Sequence, residues 1–252
     1  MNRQIFKHIL VYLPLMLASI TCIGQFTEII PREGRLKGSV NSVSFANYNI
    51  VRNDTTDLKE LNDKCTYLYD IKGLLIEEQV SDLDEINPGP FRTVYSYDAN
   101  GYRIQALDYS RERILREKAI YKYDPSKRLV EESVGQKVTN RTLLNENGNV
   151  IETTYYRNDA IPFSTLHFKY DRNGYCIESI QSWTKSTKLQ KIVYEYDANH
   201  NLVKETTFNN SKLLSIYTYT YTDYDKMENW LIQYSYRNGM LDGVTERSIS
   251  YQ

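Results

Sequence analysis

The chain has 252 residues, and its 31 Lys and Arg nearly balance its 32 Asp and Glu, so the net charge is −1. This balance, without a basic stripe or block, argues against nucleic acid and anionic membrane surfaces as partners. The 23 tyrosines favour half-buried strands. Because helical periodicity is absent after the first 24 residues, the sequence predicts an all-β fold.

Residues 1–24 have the layout of a secretory signal peptide. A basic start precedes an apolar run over residues 9–21, and small residues precede Gln25. The run is shorter than the roughly 18 to 20 residues of a membrane span. We therefore predict cleavage before Gln25, no membrane span afterwards, and export to the periplasm, the outer-membrane surface or the extracellular space. An uncleaved anchor and a lipoprotein acylated at Cys22 are the alternatives.

Residues 25–63 are an irregular lead-in. We expect an opening strand at 38–45, then a connection or a degenerate first hairpin at 47–64. Residues 81–92 interrupt the regular pattern that follows, because Pro88 and Pro90 prevent regular strand pairing. This insertion is either a functional loop on a turn edge or an indifferent linker.

From residue 64 to 252 the chain repeats a unit of 21 to 28 residues, seven times. Each unit is anchored on an Asp or Asn, most often preceded by aromatic residues at positions −3 and −1. The anchors are Asp70, Asp98, Asp124, Asn145, Asp171, Asp197 and Asp225. Six residues after each anchor stands an apolar residue, which we expect to point into the core: Ile76, Ile104, Val130, Ile151, Ile177, Val203 and Leu231.

Each unit reads as two antiparallel strands joined by tight turns. The anchor Asp or Asn opens a turn by accepting bonds from nearby backbone N–H groups, and a Gly three residues later supplies positive φ in four units. Because a hairpin cannot bury its apolar face alone, neighbouring units should stack. The prediction is an antiparallel meander of tandem hairpins, forming a curved or spiral sheet of about 15 strands or a partial barrel.

The Tyr-Asp step, the D-x-x-G turn and the repeat length over residues 64–252 resemble the YD repeats of the RHS family, as does Asn229–Trp230 after the last turn. The resemblance implies a curled β-sheet shell in a bacterial cell-surface protein, and some YD-type repeats are associated with carbohydrate binding. The chain has far fewer repeats than a closed toxin shell and carries no toxin domain after them. The toxin role of the family is therefore not implied.

The sequence contains no catalytic motif, and we predict a protein that is not an enzyme and has no cofactor or metal. His167 and His200 are not spaced as a ligand pair. The recurring Asp residues are interpreted as turn formers rather than calcium ligands. Cys65 and Cys176 are expected to be small apolar fillers, with a disulfide between them as the alternative.

Exposed aromatic rings on a rigid sheet suit sugar rings, because they offer flat apolar area at small entropic cost. The leading hypothesis is an exported binding or scaffold module, with a glycan as the ligand. Two alternatives are a structural component that pairs its sheet edge with an envelope protein, and a polysaccharide hydrolase or lyase. The tyrosine ladder of the repeats is interpreted as core, and the candidate binding residues are Trp183, Tyr234, Tyr236, Trp230 and Tyr156.

Overall fold

The computed structural model describes residues 36–52, 57–82, 90–157 and 161–252. The predicted signal peptide, the start of the lead-in and most of the 81–92 insertion lie outside these residues. Within them, all regular secondary structure is β-strand. The sixteen strands are β1 (Val40–Arg52), β2 (Asp57–Tyr69), β3 (Leu75–Asp82), β4 (Phe91–Tyr97), β5 (Arg103–Tyr109), β6 (Leu115–Asp124), β7 (Leu129–Val134), β8 (Lys137–Leu144), β9 (Val150–Arg157), β10 (Ile161–Tyr170), β11 (Cys176–Trp183), β12 (Leu189–Tyr196), β13 (Leu202–Asn209), β14 (Lys212–Tyr224), β15 (Trp230–Arg237) and β16 (Met240–Tyr251).

The strands form one antiparallel meander that closes into a barrel. Each strand pairs with its neighbours in sequence, and β16 pairs with β1 from Val40↔Tyr251 to Asn49↔Gly243. The prediction of an all-β antiparallel meander is confirmed. The prediction of an open, curved sheet is wrong, because the last strand returns to the first and leaves no edge among the described strands.

The seven anchor residues all lie in turns at one end of the barrel, which we call the floor. Asp70 shows the common geometry: its Oδ1 accepts hydrogen bonds from the backbone N–H groups of Lys72 and Leu74, both at 2.8 Å. Gly73 completes the turn with φ of 78°. The same pair of bonds recurs at Asp98, Asn145, Asp171, Asp197 and Asp225. The other hairpin loops lie at the opposite end, which we call the mouth.

A bulge after most floor turns decides which side chains enter the core. In the first unit Tyr69 pairs with Leu75 but Leu68 pairs with Glu77, so Ile76 is the extra residue. Leu75 is 4% exposed, whereas Ile76 is 37% exposed and faces outward. The same shift recurs before Ile104, Ile151, Ile177 and Val203.

The prediction that the residues six positions after the anchors point into the core is therefore mostly wrong, since most of them face outward. The core position is the fifth residue, as at Leu75, Val150, Cys176, Leu202 and Trp230. The third unit is the exception, since β6 and β7 pair without a shift and Val130 enters the core opposite Tyr123.

The repeated aromatic residues point inward and fill the floor half of the barrel. Four inward tyrosines also link successive units, since the hydroxyl of each donates to a backbone carbonyl in the preceding unit at 2.6 to 2.8 Å. The four pairs are Tyr97 to Leu75, Tyr170 to Val150, Tyr196 to Cys176 and Tyr221 to Leu202. The period of the repeat thus sets a hydrogen-bonded tyrosine ladder inside the barrel.

Cys65 and Cys176 are both free. They lie on β2 and β11 and therefore belong to opposite parts of the meander. Cys176 is 1% exposed, and burial raises the pKa of its thiol to about 12. Such a thiol is protonated at neutral pH and behaves as an apolar filler.

Candidate functional site: the mouth of the barrel

The interior of the barrel differs between its two ends. Toward the floor, most inward side chains are aromatic or aliphatic and buried. Toward the mouth, the strand registers turn polar residues inward, and they are only partly buried. They include Asn47, Asp63, Thr93, Gln181, Gln190 and Ser235. The barrel is thus a cup with an aromatic base and a polar, accessible upper wall.

Two arginines lie over aromatic rings in the base of the cup. The Arg247 guanidinium is 3.6 Å from the ring centroid of Trp230, and its Nε donates to the Trp230 carbonyl. The Arg103 guanidinium is 4.1 Å from the ring centroid of Tyr95. Cation–π contacts of this kind gain strength when they are desolvated, and Arg247 is 6% exposed.

Glu78 is an inward carboxylate in the same region. Burial raises its pKa above 4.5, although the hydroxyl of Tyr95 donates to it at 3.0 Å and opposes the shift. The folded state disfavours the charged form of Glu78. The protonated side chain therefore contributes to stability below the pKa of the unfolded chain, and this contribution is lost as the pH rises through the raised pKa of the folded state. We expect Glu78→Gln to raise the free energy of unfolding at pH 7 and to change nothing at pH 3.5, as measured by urea denaturation.

Glu77 provides the matched control for this prediction. It faces outward and receives two hydrogen bonds from Arg92, at 2.8 and 2.6 Å, which lower its pKa. Its contribution to stability is therefore lost as the pH falls, so Glu77→Gln should reduce stability at pH 7. Equal effects of both substitutions at pH 7 would contradict the assignment of inward and outward faces.

A cavity of about 680 Å³ lies at the mouth, beside the β9–β10 and β11–β12 hairpins. We call it the rim pocket. Trp183 and Phe163 supply its aromatic surface, and Arg157 adds a guanidinium. The remaining lining residues are Ile161, Pro162, Thr184, Lys185, Ser186 and Lys188.

Hydrogen bonds between the two hairpins hold the rim pocket in shape. The Thr184 N–H donates to the Phe163 carbonyl at 3.1 Å, and the Thr184 hydroxyl donates to the Pro162 carbonyl at 2.6 Å. The Ser186 N–H closes the next turn on the Trp183 carbonyl at 3.0 Å. Trp183 also lies opposite the fully buried Ser164, so its backbone belongs to the rigid wall.

Phe163 enters the pocket because it is the extra residue of a bulge between β9 and β10. The Arg157 guanidinium lies 5.0 Å from the centroid of its ring. The pocket thus combines flat apolar rings with hydroxyl, ammonium and guanidinium groups. This set of groups can stack on a sugar ring and donate hydrogen bonds to its oxygens.

The structure separates the other candidate binding residues from this pocket. Trp230 is 2% exposed and packs in the core, which leaves no ring face for a ligand. Tyr234 and Tyr236 pair with outward residues of β14 and lie on the outer wall. Tyr156 also lies on the outer wall, where the Arg141 guanidinium is 5.3 Å from its ring. Of the five predicted residues, only Trp183 lines the pocket; Phe163 and Arg157, which also line it, were not predicted from the sequence.

His167 and His200 have ordinary structural surroundings. His167 Nδ1 lies 3.5 Å from the Glu152 carboxylate on the outer wall, and the His200 ring stacks on Tyr175 with centroids 4.5 Å apart. Among the residues that the structure describes, no group of three or more His, Cys, Asp or Glu could hold a metal ion. The same part of the chain contains no helical segment with the length and apolarity of a membrane span.

The outer wall carries a belt of ion pairs that link different strands. Glu178 receives both Lys169, at 2.6 Å, and Lys191. Four further ion pairs lie on the outer wall: Glu77 with Arg92, Glu131 with Arg141, Glu195 with Lys204, and Glu246 with Lys59. These pairs form a charged belt on the outer surface of the strands.

The sequence matches no family model and no curated protein. Among solved structures, the fold is similar to that of a porin-like protein from Bacteroides uniformis, at a TM-score of 0.52 and 12% sequence identity. The match covers 85% of this chain and 98% of that protein. The resemblance to YD repeats of the RHS family was therefore wrong, because the chain closes into a sixteen-stranded barrel and matches no model of that family. At this identity the comparison establishes the porin-like barrel fold.

Proposed function

We propose that the protein is an exported envelope protein whose barrel binds a glycan at the rim pocket. The observation that carries the proposal is the placement of Trp183 and Phe163, together with hydrogen-bonding side chains, in one cavity at the open end. Aromatic rings held on a rigid wall bind sugars at small entropic cost. The porin-like fold and the predicted signal peptide support a location in the cell envelope.

The charged belt supports an aqueous surrounding for the outer wall. A transmembrane barrel presents to lipid an apolar band about 25 Å tall, and a Lys or Arg at its midplane costs about 2–4 kcal/mol. Here Glu178 and its two lysines, and Glu77 with Arg92, lie on outward-facing strand positions. We therefore place the barrel beside the membrane, in the periplasm or on the cell surface.

A structural component that binds its partner through a sheet edge would need a strand with one unpaired side. Each of the described strands pairs on both sides, so nothing in the described fold supports this alternative. A hydrolase or lyase that acts on the same glycan can be distinguished from a binding module, because only the enzyme releases products. Release of reducing ends during incubation with polysaccharide would indicate the enzyme, and retention without release would indicate the binding protein.

The proposal is tested by retention of residues 25–252 on cell-wall and polysaccharide matrices. We expect Trp183→Ala to weaken retention about 30-fold, the effect of losing one aromatic hot-spot residue worth about 2 kcal/mol. Tyr234→Ala is the matched control, since this ring lies on the outer wall away from the pocket. Unchanged retention of the Trp183 variant, or no retention of the unaltered protein on any matrix, would refute the proposed site.

A further inference from the structure

We infer that the rim pocket selects acidic glycans, those that carry carboxylate groups, over neutral ones. This inference rests on the proposed function and adds the chemical class of its ligand. Three of the nine residues that line the pocket are cationic: Arg157, Lys185 and Lys188. None of the nine is acidic. The described lining therefore offers an anion several charged hydrogen-bond donors and contributes no carboxylate that would repel it.

The three cations differ from the lysines of the charged belt, because they have no ion-pair partner among the described residues. Lys169, Lys191 and Lys204 each contact a carboxylate. Arg157, Lys185 and Lys188 form no ion pair with any residue in the described ranges of the chain. In a chain whose net charge is −1, three cations in one cavity, without an ion-pair partner among the described residues, make a local positive site.

The donors in the pocket are also held in place. Arg157 rests against the Phe163 ring, which limits its rotamers and leaves the guanidinium edge available. The Ser186 hydroxyl oxygen accepts the Lys188 N–H at 3.0 Å, so its hydrogen is directed away from that bond and can be donated to a ligand. A sugar ring on Trp183 would therefore place its carboxylate among oriented donors.

The test uses two chemically matched probes: a hexamer of galacturonic acid and the same hexamer with methyl-esterified carboxyl groups. Isothermal titration of residues 25–252 in low salt should show at least tenfold tighter binding of the acid. This preference should shrink in 0.3 M NaCl, because the Debye length falls well below 10 Å.

Charge-neutralising variants assign the effect to the pocket. We expect the double variant Lys185→Gln/Lys188→Gln to bind the acidic hexamer about tenfold more weakly, since each exposed charge contact is worth up to about fivefold in affinity. Its affinity for the ester should not change. Lys226→Gln is the control, because this exposed lysine lies in a floor turn at the other end of the barrel.

The outcomes distinguish the inference from the proposed function. Equal affinity for the two hexamers, or retention on neutral matrices alone, would overturn the acidic preference and leave glycan binding standing. An acidic preference that survives in the double variant would also overturn the role of this pocket. Failure to bind any glycan probe or matrix would overturn the proposed function together with the inference.

Discussion

Replacing Trp230 with alanine is expected to lower the free energy of unfolding by about 3–5 kcal/mol, the usual cost of truncating a buried aromatic residue to alanine. The side chain is 2% exposed and packs 5.2 Å, centroid to centroid, from Tyr221. Its removal also leaves the buried Arg247 guanidinium without the ring that faces it at 3.6 Å. The substitution would then leave a cavity in the base of the cup and, beside it, an Arg247 charge that is less well stabilised.

The only other tryptophan provides the matched control. Trp183 lines the rim pocket, so Trp183→Ala should change the free energy of unfolding by less than about 1 kcal/mol and act on ligand retention instead. Urea denaturation followed by circular dichroism measures both variants with one method. Similar losses of stability in the two variants would contradict the division of the barrel into a packed base and an accessible mouth.

Deletion of residues 240–252, which form β16, is expected to abolish the cooperative folded state. The deletion removes pairing with both β15 and β1 and leaves two long unpaired edges. It also removes Arg247, which pairs with the inward Phe45, from the interior. Size-exclusion chromatography should show self-association, and thermal unfolding should lose its sharp transition.

A circular permutant separates the loss of a strand from a mere break in the chain. The Gln252 N–H donates to the Ser39 carbonyl at 2.9 Å, so a short linker can join residue 252 to residue 36. New ends between Asn210 and Ser211, in the β13–β14 turn, keep all sixteen strands, and this variant should fold as a monomer. If the β16 deletion stayed monomeric and cooperative, the barrel would behave as a stack of independent units rather than a closed sheet.

The sequence predicted the local elements of the fold well, because their causes are local. An Asp such as Asp171 accepts two backbone N–H groups within four residues, and Gly174 supplies φ of 82°. These signals located most floor turns and the strands between them. They could not locate the bulges, since one extra residue leaves the composition of a strand unchanged. The choice between Cys176 and Ile177 for the core was therefore wrong.

Closure of the barrel depends on the pairing of β1 with β16, which no local sequence pattern predicts. Phe45 pairs with Arg247 across almost the whole length of the chain. The predicted meander was compatible with a spiral, a partial barrel or a closed one, because each contains the same hairpins. The number of strands and the bulge-enhanced twist decide among these forms, and both are properties of the complete sheet.

The candidate site was predictable in part for the same reason. Trp183 could be chosen from the sequence as an aromatic residue beside a polar turn. Its companions Phe163 and Arg157 come from the neighbouring hairpin and reach the pocket through the register of β9, β10 and β11. Trp230 stands beside a turn in the same way, but it occupies the fifth position after the anchor Asp225, which is the core position, and it is buried.

Both ends of the described chain lie at the floor of the barrel, opposite the rim pocket. Leu36, where the described chain begins, packs against the core at the floor end, and Gln252 bonds to residues of the same end. Any attachment that the segment before Leu36 provides therefore holds the barrel by its base. The rim pocket at the mouth would then face away from the attachment surface, and a long polymer could reach it without obstruction.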